Sequence, residues 1–171
     1  ANTNSNNLTV RLGIGNGTFG NPTAVGAGSS PVYVATADWN KDGKLDVAAV
    51  NNGINAGTYM VSILLGDGAG GLGQAVNIDI GSKTVPRGAV VGDFNKDGNP
   101  DLAVAGYGNN TLPVLLGKGD GTFEPVVSLN GPANPQSLDS ADLNGDGWPD
   151  LVATTSITGS QNVSILLGQC K

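Results

Sequence analysis

The chain has 171 residues, enough for one domain with a sizeable core. Glycine is abundant at 28 residues and aromatics are sparse at 5%, a balance that favours turns and short strands over long helices. The formal charge is −6 with only eight Lys+Arg, which excludes the basic face a nucleic-acid partner requires, and no run of about 18 apolar residues is present to span a membrane.

In chain order, the opening ANTNSNN is polar and lacks the charged start and apolar centre of a signal peptide. The phrase LTVRLG follows at 8–13, then a glycine turn GNGTF at 15–19, with a further strand expected from near Phe19. A strand over Val32–Ala37 leads into an acidic stretch, DWNKDGKLD, at 38–46. An apolar strand, LDVAAV, leaves it. The series then repeats: VSILLG at 61–66, GAGGL at 68–72, a strand from near Leu72, a strand at Ala89–Gly92, DFNKDGNPD at 93–101 and DLAVAG. It repeats again: LPVLLG at 112–117, GDGTF at 119–123, a strand from near Phe123, DLNGDGWPD at 142–150, DLVATT and VSILLG at 163–168.

The apolar phrase recurs at offsets of 53, 51 and 51 residues, and the acidic phrase at 55 and 49. One period of about 50 residues carrying four short strands predicts an all-β fold of tandem four-stranded antiparallel blades, as in a β-propeller. The chain reads as a single repeat domain over 1–171, with units at about 8–60, 61–111 and 112–168. It opens on the third and fourth strands of a blade and closes on the first three of another, about 13 strands in all. A ring needs roughly four to eight blades. The expectation is therefore a homo-oligomer, or association with further propeller blades.

The acidic phrase has the pattern D-x-N-x-D-G-x-x-D. Nine of the 14 acidic residues lie in its three copies. Clustered carboxylates repel unless a cation sits among them. Three divalent ions would offset the formal charge of −6. Calcium takes six to eight oxygen ligands. Positions 1, 3, 5 and 9 supply them from Asp38, Asn40, Asp42 and Asp46; from Asp93, Asn95, Asp97 and Asp101; and from Asp142, Asn144, Asp146 and Asp150. Position 7 offers a backbone carbonyl, on Lys44, Asn99 and Trp148. Glycine at position 6 (Gly43, Gly98, Gly147) permits the sharp turn. With no histidine in the chain and no cysteine nearby, zinc and copper are disfavoured. Position 12 is Ala49, Val104 or Ala153, so the bidentate glutamate of an EF-hand is missing and the loop joins strands rather than helices.

Position 2 holds Trp39, Phe94 and Leu143, each expected to pack between blades. Trp148 stands at the variable position 7, where its ring is expected to face solvent and is a candidate for stacking on a sugar. Tyr59 and Tyr107 are the other aromatic candidates. Cys170 is the one cysteine, so an internal disulfide is impossible. The N-x-[ST] sequons at Asn7, Asn16, Asn109 and Asn162 read as turn chemistry.

Taken together, VSILLG, G-x-G-x-G-T-F and DFNKDGNPDL resemble the FG-GAP/VCBS repeat, over residues 8 to 168. The resemblance implies a β-propeller, often of seven blades, with calcium in the loop between the first two strands of a blade. It makes the twelve side chains named above ligands of three calcium ions. Two departures stand out: three loops are fewer than the family's usual ring, and the second unit has GAGGL in place of the G-x-G-T-F turn. The functional expectation is extracellular binding, through glycan recognition or adhesion to a cell-surface protein, at the cell surface or after secretion. The alternative is a non-catalytic structural fragment or accessory domain of a larger secreted propeller or carbohydrate-active enzyme. Catalysis is not expected. Histidine is absent, Glu124 is the one glutamate, and Asp67, Asp79, Asp120 and Asp139 suggest no facing pair.

Overall fold

The computed structural model describes residues 1–53, 59–156 and 162–168. Thirteen strands run in chain order: β1 (Asn7–Val10), β2 (Thr23–Gly26), β3 (Pro31–Ala37), β4 (Asp46–Asn51), β5 (Met60–Leu64), β6 (Val76–Asp79), β7 (Pro86–Gly92), β8 (Asp101–Gly106), β9 (Thr111–Leu115), β10 (Val127–Asn130), β11 (Pro135–Ala141), β12 (Asp150–Thr155) and β13 (Val163–Leu166). No helix occurs among the described residues. The strands form four antiparallel meanders: β1-β2, β3-β4-β5-β6, β7-β8-β9-β10 and β11-β12-β13. These are two whole blades between two partial ones, and the set does not close into a ring. Cys170 lies outside the described residues.

The blades stack face on face. The side chains of β8 show how, since all six of its residues are buried. Leu102 and Val104 join a core with Trp39, Val50, Val61 and Ile63 of the preceding blade. Ala103 and Ala105, on the other face, join Leu138, Leu151 and Ala153 of the following one. A strand covered on both faces reads as a continuous apolar run, which is why DLAVAG lacks the alternation of a half-exposed sheet. The first interface follows the same rule, with Leu8 and Ala27 against Ala49 and Leu64.

The fourth strands β6 and β10 are mostly exposed, as outer edges, and short. They begin later than the sequence suggests. Phe19, Leu72 and Phe123 only bridge back to Gly13, Gly66 and Gly117, and regular pairing resumes at Thr23, Val76 and Val127. The aromatic closes a tight turn first, and the intervening residues carry the chain out to the blade rim.

Position 2 behaves as expected in two loops and not in the third. Trp39 is 1% exposed, and its ring lies 6.2 Å from that of Phe123 in the next blade, tilted by 56°. Phe94 is half-buried against the second core. Leu143 is 49% exposed, because no further blade stacks on β11–β13 among the described residues. The Trp39 indole N–H is buried without a hydrogen-bond partner, so its side chain holds the interface by bulk. Trp39→Ala is expected to cost about 3–5 kcal/mol, whereas Trp39→Phe, which surrenders no hydrogen bond, costs well under half of that. Urea titrations at fixed calcium concentration measure both.

Candidate metal centre

Each acidic loop connects the first and second strands of a blade: β3 to β4, β7 to β8, β11 to β12. Short polar side chains favour such a turn because they bond their own backbone. In the first loop the Asp42 N–H donates to Asp38 Oδ1 and Asn40 Oδ1, both at 3.1 Å, and the Gly43 N–H donates to Asp38 Oδ2 at 2.8 Å. The second loop repeats this, with the Asp97 N–H on Asp93 Oδ1 at 3.0 Å and Asn95 Oδ1 at 3.1 Å. In the third, the Gly145 N–H takes over the bond to Asp142 Oδ1 at 2.8 Å. Gly43, Gly98 and Gly147 have φ of +81°, +81° and +85°, the left-handed turn anticipated at position 6. Positions 1, 3 and 5 are thus brought together on one lip.

Position 9 sits elsewhere. Asp46, Asp101 and Asp150 are fully buried. One oxygen of each accepts the N–H of position 2: Trp39 at 2.9 Å, Phe94 at 2.8 Å, Leu143 at 2.9 Å. The other accepts the N–H of a glycine ending the third-strand phrase: Gly66, Gly117 and Gly168, each at 2.8 Å. These glycines are residues the sequence reading left without a role. A Cβ on Gly66 would fall 2.1 Å from the Leu45 carbonyl oxygen, and one on Gly117 would fall 2.2 Å from that of Pro100. The signal for them was present, since each ends the L-L-G phrase.

The electrostatics separate these two groups. Burial pushes the Asp101 carboxyl above its ordinary 3.8; the Gly117 and Phe94 N–H groups oppose this, while the nearby Asp97 and Asp93 charges add to it. Asp42, Asp97 and Asp146 are held below the ordinary value, chiefly by the backbone N–H of Lys44, Asn99 and Trp148. Their contribution to stability is present above about pH 4 and is lost as the pH falls through the lowered values.

Among the described residues no three acidic side chains stand close enough together to make a metal cluster by themselves. The donor chemistry nevertheless fits a hard cation. The lip offers oxygen only, from Asp38, Asn40, Asp42 and the carbonyl of Lys44, and each position-9 oxygen that accepts one N–H keeps a second lone pair. A lysine ammonium already stands where positive charge is called for, with Lys44 Nζ 3.4 Å from Asp42 Oδ2.

Trp148 is half-buried rather than turned out to solvent. Lys96 Nζ lies 4.8 Å above its ring, so one face is already taken. Its other surroundings are an open groove of about 720 Å³ shared with Phe94, Asn95, Leu116 and Leu166. Tyr107 is also covered, by the Arg87 guanidinium 5.0 Å from its centre.

A family model described as FG-GAP-like repeat matches residues 1–49 and 93–153, well over half of the chain. No curated protein matches it.

Removing the buried carboxylate tests its structural role apart from any metal. Asp101→Ala, measured by denaturation in EDTA, is expected to cost about 1–3 kcal/mol for each of the two N–H groups left unpaired. Gly117→Ala is expected to cost at least about 2 kcal/mol, because the Pro100 backbone must move.

Proposed function

Since the chain belongs to the FG-GAP-like repeat family, we propose that it is a calcium-binding β-propeller module acting in extracellular recognition of glycans or of a cell-surface protein. The observation that carries this reading is the recurrence of one oxygen-lined loop at the same place in three blades. In each, the side chains at positions 1, 3 and 5 and the position-7 carbonyl would hold the ion. The buried position-9 aspartate fixes the loop's base and lends its remaining lone pairs. A bound calcium ion supplies two positive charges to the lip and stiffens it. Catalysis plays no part in this proposal. Glu124, the one glutamate, is paired with Lys118 at 3.5 Å.

The recognition surface we favour is the groove beside Trp148. It combines an aromatic edge with the Asn95 amide, the pairing a sugar ring requires. Among the described residues no helix is long and apolar enough to cross a membrane.

A second reading, a unit of a larger propeller, is favoured by the outer face of the last blade. Val163 is 64% exposed and Ile165 56%, while their repeat equivalents Val61 and Ile63 are 0% and 2% exposed beneath a following blade. Further blades, from a second copy or a longer protein, would cover them.

With saturating calcium the melting temperature is expected to rise well above that in EDTA, and to rise further with calcium concentration as mass action requires. A glycan array run in millimolar calcium and in EDTA then reads the ligand. Calcium-dependent binding lost in Trp148→Ala supports the groove. Silence in both conditions removes the glycan reading and leaves protein adhesion or the structural unit, which sedimentation of the chain distinguishes.

A further inference from the structure

Lysines reach from one acidic loop to the next. Lys41 and Lys96 occupy position 4 of the first two loops, and both hold left-handed backbone, with φ of +57° and +56°. That region disfavours a side chain, and the third loop has Gly145 there instead, at +76°. Glycine suits this turn better, so the two lysines are kept against a backbone cost. Their destinations supply the reason. Lys96 Nζ lies over Trp148 and 3.2 Å from where a Cβ of Gly147 would stand, both residues belonging to the third loop. Lys41 Cε lies 3.4 Å from the Cβ position of Gly119, and Asn99 Oδ1 of the second loop lies 2.5 Å from the same point. The first loop is also fastened to that turn, by the Gly121 N–H on the Trp39 carbonyl at 2.9 Å. The third loop faces no further loop among the described residues and carries no such lysine.

The first loop receives no lysine from an earlier one, and it supplies its own through the Lys44–Asp42 pair. Each loop thus has one lysine directed to it or to the turn beside it: Lys44 at the first, Lys41 at the Gly119 turn that Asn99 of the second also meets, and Lys96 at the third. The charge influence on the position-5 carboxylates follows the same assignment, Lys44 on Asp42, Lys41 on Asp97 and Lys96 on Asp146.

We infer that Lys41 and Lys96 are built-in counter-cations that hold the neighbouring blade's acidic loop in its folded shape without metal and set a weakened calcium affinity for that loop. This rests on the calcium reading above. An ammonium and a calcium ion on one lip repel, so uptake must displace the lysine or tolerate it. Both routes reduce affinity, and removing the lysine restores it. The charges are solvent-exposed, so the effect is moderate and salt-sensitive.

The test uses the full chain as wild type, Lys41→Gln, Lys96→Gln and the double variant. Calcium calorimetry at low salt is expected to show about two- to five-fold tighter binding at one site in each single variant and at two in the double. Terbium luminescence excited through tryptophan reports the first and third loops, where Trp39 and Trp148 lie. It is expected to shift for Lys96→Gln and to stay unchanged for Lys41→Gln. In EDTA the variants are expected to melt lower than wild type, a difference that fades at high salt, and Lys96→Arg to restore wild-type affinity. A lowered melting temperature with unchanged calcium affinity would reduce the lysines to ordinary surface ties and overturn the inference alone. A wild-type chain that takes up no calcium would overturn the calcium reading, and this inference with it.

Discussion

Everything in a blade hangs on a carboxylate sealed inside it. Asp46, Asp101 and Asp150 each accept one N–H from the start of their loop and one from the glycine that ends the third strand. A buried charge is costly unless its lone pairs are engaged, and one left with a single partner is costly still. The aspartate therefore demands both donors at once. Meeting that demand fixes the loop against the second strand and draws the turn after the third strand in behind it. The contact is so close that the third-strand residue at the meeting point has no room for a side chain.

From this base the lip and the stack follow. The lip residues accept from the loop's own backbone and, in the second and third loops, also pair with each other, Asn95 donating to Asp97 and Asn144 to Asp146. The strands on either side, relieved of polar duty, can be apolar on both faces and pack against two neighbours. Chemistry and packing thus share nine residues: positions 1, 3 and 5 gather oxygen on the lip, while position 9 is buried and position 2 packs between blades where a further blade follows.

Most of this architecture was legible in the residues. A 50-residue period carrying four short strands per unit announces a meander, and thirteen strands are found. The three loops were equally plain, because D-x-N-x-D-G has few uses. What stayed hidden was geometry that spacing does not encode. Nothing in the letter D at position 9 says that its carboxylate is buried and accepts two N–H groups as well. The exposure of Leu143 depends on whether another blade is present, which its own phrase cannot tell. The fourth strands begin later than the residue after the glycine turn suggests, because Phe19, Leu72 and Phe123 each make a single bridge and not a strand start. Lys41 and Lys96 were visible as letters, but their targets, the Gly119 turn and Trp148, lie in the next blade and only the stacking brings them near.

The tie between Trp39 and the turn of the following blade has a consequence for how the molecule is made. The Trp39 carbonyl is met by Gly121 and its ring by Phe123, some eighty residues later in the chain. A ribosome needs roughly 4 to 16 seconds to cover that distance. For about the second half of that interval the first whole blade, complete at Asp79, has its large indole uncovered, and only translation of the next blade shelters it. At this boundary the nascent chain therefore holds an open apolar face until the next blade emerges.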